Sequence, residues 1–198
     1  ANPLSTERVG LLQVAGLGLT VRQPGVACTY TLSAPGASAG SAATSGTVTV
    51  TTSAADCAWT IVAGEAWVTT SGPAQRVGSA AVNFSIAANP SSLARDTTLS
   101  IAGRGFAVHQ NGVLCTYALT PASASATVAG GTQTVKVTTP ASDCAWTNTS
   151  SHDWLAITSG AQRQGTQNIT LSIASNPASS KPRTGTVTIA GGSTTSTY

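Results

Sequence analysis

Asp56-Cys57-Ala58-Trp59-Thr60 returns 87 residues later as Asp143-Cys144-Ala145-Trp146-Thr147. The same shift places Cys28-Thr29-Tyr30 on Cys115-Thr116-Tyr117, Trp67 on Trp154, Gln75-Arg76 on Gln162-Arg163 and Asn89-Pro90 on Asn176-Pro177. A match held over such a length is a tandem repeat, and a repeat governs every later assignment. The first residues obey it too: Ala1-Asn2-Pro3 falls on Ala88-Asn89-Pro90, Arg8 on Arg95, and Gln23 with Gly25 on Gln110 with Gly112. The chain therefore divides into residues 1–25, equivalent to the last strands of a module, a module over 26–112 and a second over 113–198.

Within a module the apolar period is two, the signature of half-buried strands. In the first copy the pattern predicts strands near 28–33, 46–52, 57–63, 66–70, 80–87, 95–102 and 105–110. Val48, Val50, Cys57, Trp59, Ile61, Val82, Phe84, Ile86, Leu99, Ile101, Phe106 and Val108 would point inward. Seven short antiparallel strands with one apolar face each make an all-β, two-sheet sandwich of immunoglobulin-like kind. No window carries a helical stripe.

Composition narrows the function classes. Charged residues make up only 8% of the chain, far below the usual quarter, so solubility rests on Ser, Thr, Asn and Gln. The net charge of +3 is spread without a basic run, which argues against nucleic acid. No stretch of eighteen apolar residues exists, so no helical membrane span is expected. Four cysteines and no methionine suit an extracellular or cell-surface, oxidising setting.

Each module holds two cysteines, and four cysteines allow three pairings. Repeat symmetry favours Cys28 with Cys57 and Cys115 with Cys144, each bridge adding roughly 3–4 kcal/mol by loop entropy. A metal site has less support, because no pair has short ligand spacing and neither histidine stands at a repeat-matched place.

The module resembles the BACON domain, an immunoglobulin-like sandwich of bacterial secreted proteins and some phage proteins. The resemblance lies in Cys28-x-Tyr30-x-Leu32, Cys-Ala-Trp-Thr at 57–60 and 144–147, the second Trp of each module, the Asn-Pro ahead of Arg95, and the ending Ile-Ala-Gly-x-x-Phe-x-Val-x-Gln at 101–110. It implies a fold more than a function, since such modules serve as suspected carbohydrate binders and as plain spacers. It carries over no catalytic residue.

Catalysis needs converging ionisable groups, and His109, His152 and the six carboxylates are thinly spread, so no enzyme, metal or cofactor is expected. For sugar stacking the candidates are Trp59, Trp67, Trp146 and Trp154, yet tryptophans repeated at strand positions read first as core. The ends suggest a third role. Phe106 and Val108 of the closing strand have counterparts in Leu19 and Val21 at the front, but only Thr194 and Ser196 at the back. In the front copy Val9, Leu11 and Leu17 also replace Asp96, Thr98 and Arg104, and a strand apolar on both faces is expected to be buried on both. The expectation is a self-assembling fibre, in which this strand completes the Thr194 and Ser196 edge of the next copy head to tail. The alternatives are a rigid spacer, or a glycan-binding module of a longer secreted adhesin or glycan-degrading protein.

Overall fold

The structure, a computed structural model, describes residues 1–177 and 181–191 and the backbone of 194–197. Among these residues every regular element is a strand, and no helix is long and apolar enough to cross a membrane. The chain forms two compact units, Ala1–Asn89 with Ala94–Asn111, and Pro90–Leu93 with Gly112–Tyr198.

The first unit opens with a two-stranded hairpin, β1 (Arg8–Val14) and β2 (Leu17–Gln23). A sandwich follows, built from β3 (Tyr30–Leu32), β4 (Gly36–Ala39), β5 (Thr44–Thr52), β6 (Ala58–Val62), β7 (Val68–Thr70), β8 (Gln75–Val77), β9 (Ala80–Ile86), β10 (Arg95–Ile101) and β11 (Arg104–Gln110). One sheet runs β3-β5-β9-β7 and the other β4-β11-β10-β6-β8. Alternation places Val48, Val50, Trp59, Ile61, Val82, Phe84, Ile86, Leu99, Ile101, Phe106 and Val108 in one buried cluster between the sheets. These are the residues whose period-two spacing assigned them inward. Two strands lay beyond that pattern: β4 consists of Gly and Ala with one Ser and pairs parallel with β11, and β8 is a three-residue edge on β6.

The second unit repeats the plan with β12 (Ala118–Thr120), β13 (Gly131–Thr138), β14 (Ala145–Ser150), β15 (Leu155–Ile157), β16 (Gln162–Gln164), β17 (Gln167–Ile173), β18 (Val187–Gly191) and β19 (Thr194–Thr197). Its sheets run β12-β13-β17-β15 and β16-β14-β18-β19, around a core of Val135, Val137, Trp146, Leu155, Ile169, Leu171, Val187 and Ile189. No described residue between Pro121 and Gly130 forms the counterpart of β4. In each unit a disulfide, Cys28–Cys57 or Cys115–Cys144, spans a Cα–Cα distance of 5.6 Å just ahead of the Trp-bearing strand.

The backbone of β19 bears on the expected strand exchange. It lies antiparallel to β18, with Thr194 opposite Gly191 and Ser196 opposite Ile189. The closing place of the second sandwich is thus held by the chain's own strand. An incoming strand could enter there only by displacing it. Ser193 and Tyr198, the ends of that segment, lie outside the described residues.

Candidate interaction site: the amino-terminal hairpin

The β1–β2 hairpin copies β10–β11 residue for residue. Arg8 stands opposite Gln23 and Val14 opposite Leu17, as Arg95 stands opposite Gln110 and Ile101 opposite Arg104. Directly opposed residues of an antiparallel pair share a face. One face of the hairpin therefore carries Leu12, Val14, Leu17, Leu19 and Val21. The other carries Val9 and Leu11 among Gln13, Thr20 and Arg22. This corrects the placement of Leu17, which extends the inner-equivalent face and not the outer one. It also makes the outer face mixed, where a hairpin apolar on both sides was expected.

Burial separates the two copies. Leu99, Phe106 and Val108 are each 1% exposed in the first sandwich, whereas their counterparts Leu12, Leu19 and Val21 are 53%, 56% and 52% exposed. Among the described residues the hairpin pairs with no other strand, and a lone hairpin is marginal in water.

Its base, however, is anchored. Asn2, only 6% exposed, donates through Nδ2 to the Thr6 carbonyl at 2.7 Å and to those of Gln23 and Pro24. Val26 N–H donates to the Leu4 carbonyl at 2.8 Å. Ser5 gives both its N–H, at 2.8 and 3.0 Å, and its hydroxyl, at 2.9 Å, to the Asp56 carboxylate. The Ser5 N–H is the main reason the Asp56 carboxyl is held below the ordinary carboxylate range. Gly25 is required here, because a Cβ at that position would lie 2.0 Å from the Ser5 carbonyl oxygen. In the second unit Asp143 repeats the device, accepting from the Ser91 hydroxyl and from the Ser92 N–H at 2.9 Å. The Ser91 hydroxyl is the first cause of its lowered pKa.

An arginine and a glutamine lock β10–β11 into its sandwich. Arg95 lies 4.3 Å from the Trp67 ring centroid and donates through Nη2 to the Ala87 and Ala88 carbonyls at 2.7 and 3.0 Å. Its Nε donates to Gln110 Oε1 at 2.9 Å. Gln110, fully buried, turns its Nε2 to the Ser41 and Ala42 carbonyls, both at 3.3 Å. The second unit builds the arginine part again, with Arg183 at 4.2 Å from the Trp154 ring and bonded to the Ala174 and Ser175 carbonyls. Neither arginine was singled out as a site by its sequence, although Arg8 and Arg95 align in the repeat.

The tryptophans thus divide into two kinds. Trp59 and Trp146 are core, each donating through Nε1 to a glycine carbonyl at 2.8 Å. Trp67 and Trp154 are only half-buried, with one side on the core and the other under arginine. That corrects their assignment as core: each packs against the core from its edge and carries an arginine over its ring. A cavity of about 550 Å³ lies beside Trp154, lined among others by Val128, Leu171, Asn176 and Lys181. His109 pairs with Asp96 at 2.7 Å and Asn111 at 3.1 Å on the outer face of β10–β11. Its pKa is raised, first by the Asp96 hydrogen bond. Among the described residues no three His, Cys, Asp or Glu gather as a metal site.

The profile of the viral BACON domain matches residues 31–115 and again 116–198. The chain belongs to the BACON family. Its sandwiches are consecutive BACON domains of immunoglobulin-like fold, and residues 1–30 precede the first match. Among solved structures the chain is similar to the I9–I11 tandem of titin, at 10% identity and a TM-score of 0.32, covering 96% of this chain and 72% of that one. No curated protein matches it.

Proposed function

We infer that this chain is a structural component of an extracellular assembly of BACON sandwiches, in which the hairpin of residues 8–23 is the joining element. The single observation that carries this is the uncovered apolar face of that hairpin, set in the register of a strand pair whose matching apolar face is buried elsewhere in the same chain. A mechanical role is supported by sandwiches that are each closed by a disulfide, a bond that persists in oxidising surroundings.

The joining works by strand addition, with the backbone ladder giving affinity and side-chain slots giving specificity. A second copy of this chain is the weaker host, since β10–β11 and β18–β19 occupy the corresponding places in its two sandwiches.

A glycan array and Trp154→Ala test the structural assignment. The expected outcome is no retention of any glycan by the intact protein. Retention that disappears in a folded Trp154→Ala variant would move the protein to the carbohydrate-binding class.

A further inference from the structure

We propose that the hairpin of residues 8–23 is the final strand pair of a separate BACON sandwich that contributes all its other strands from outside these 198 residues. Arg8 and Gln23 are the residues that recognise this host. The proposal rests on the joining role inferred above and goes further by naming the host's chemistry.

The argument is one of unfilled partners. In the first sandwich, the pair Arg95 and Gln110 does more than bond to itself: it reaches a tryptophan ring and four backbone carbonyls, those of Ala87, Ala88, Ser41 and Ala42. In the hairpin, Arg8 Nε donates to Gln23 Oε1 at 2.8 Å, which reproduces the internal bond of the pair. No tryptophan lies over Arg8 among the described residues. Arg8 is exposed and Gln23 only half-buried, whereas Gln110 is fully buried. The amide and guanidinium are thus held ready for a tryptophan face and loop carbonyls that must come from elsewhere. An Arg over an aromatic face is a specific requirement, because its planar fork stacks and donates at once.

The apolar face sets the second requirement. Leu12, Val14, Leu19 and Val21 stand where Leu99, Ile101, Phe106 and Val108 fill a core, so the host must present two inner sheet faces with that volume empty. Among the described residues β10–β11 and β18–β19 hold that place in this chain's own two sandwiches.

The test extends the intact chain. A second copy of residues 26–87 is placed ahead of Ala1, where the repeat frame makes Ala1-Asn2-Pro3 continue it as Ala88-Asn89-Pro90 does in the natural module. The readouts are hydrogen exchange of the amides of residues 8–23 and titration of free thiols. The expected result is a third disulfide and slowing of exchange by about a hundredfold, from hairpin fraying toward core-strand opening. In the extended chain Arg8→Ala and Gln23→Ala reverse much of that protection, whereas in the unextended chain each removes only the Arg8–Gln23 bond and changes exchange far less.

A control extension in which residues 8–23 are replaced by the sequence of 95–110 guards against mere misfolding. If the control closes its third sandwich and the natural hairpin does not, the proposal is overturned. Sedimentation of the unextended chain separates it from the joining role: concentration-dependent chains of copies would keep strand addition but overturn an outside host. A protein that binds glycans would instead sink the structural reading and leave the exchange result intact.

Discussion

Arg95 covers the outer side of the Trp67 ring at 4.3 Å while its guanidinium holds the carbonyls of Ala87 and Ala88. One side chain thereby ties β10 to the segment that follows β9. Cation–π contact of this kind is worth about 0.5–2 kcal/mol, and a hydrogen bond to a charged group about 1.5–3 kcal/mol. Arg95 is only half-buried, which places the total toward the lower part of these ranges. Arg95→Ala is expected to lower the stability of the first unit by about 1–3 kcal/mol, read as a shift of its urea midpoint with tryptophan fluorescence. Arg95→Lys recovers only part, because an ammonium cannot stack and bridge both carbonyls. Arg183→Ala should act in the same way on the second unit.

A crowded glycine gives a sharper contrast. At Gly112 an added Cβ would meet the Ser92 carbonyl oxygen at 2.1 Å, and at Gly25 the Ser5 oxygen at 2.0 Å. Those atoms are backbone and cannot swing away. Gly112→Ala and Gly25→Ala are each expected to cost about 1–3 kcal/mol through forced displacement, read in calorimetry. Gly10→Ala, with nothing within 4 Å, should change stability by no more than about 0.5 kcal/mol.

Acid should loosen the serine clasps. Asp56 and Asp143 both have folded pKa values lowered from the ordinary 3.8, by Ser5 in one case and by Ser91 and Ser92 in the other. A lowered folded pKa means that the stabilisation is complete above the unfolded value. It is lost as pH falls through 3.8 and below it to the folded value. The check is a pH series of thermal midpoints, in which Asp143→Asn should flatten the acid limb for the second unit. His109 runs in the opposite sense. Its folded pKa is raised above 6.5, so its bond to Asp96 helps most below that pH and fades as pH rises through the folded value. His109→Gln should remove that alkaline-going component.

Reduction tests the bridges. Loss of either disulfide is expected to cost about 2–5 kcal/mol in a domain of this size. A Cys115→Ser, Cys144→Ser double variant should lower the melting point of the second unit and leave the first unchanged.

Much of this architecture was legible because strand cores obey a period of two, and Val48, Val50, Val82, Phe84 and Ile86 announce themselves by it. β4 was not legible, since Gly36 to Ala39 bury little and are fixed by parallel pairing with β11, a long-range choice without a local pattern. Leu17 was assigned to the outer face by its replacement of Arg104, but the face is decided by its cross-strand partner Val14. The arginine lock was half legible. Arg8 and Arg95 align, but their tryptophan lies 28 residues before Arg95, and only the fold brings the two together. The apolar excess of residues 9–21 did point to the hairpin. What it could not show was that the second sandwich sets its own strand beside β18.

The serine clasp has a consequence for how such a protein grows. Donor and acceptor lie 51 residues apart in both copies, Ser5 with Asp56 and Ser92 with Asp143. Any duplication or deletion of one whole period, wherever its breakpoints fall, hands the new chain both halves of every clasp. Genes for such proteins can gain or lose modules by unequal recombination without waiting for a new contact surface to evolve.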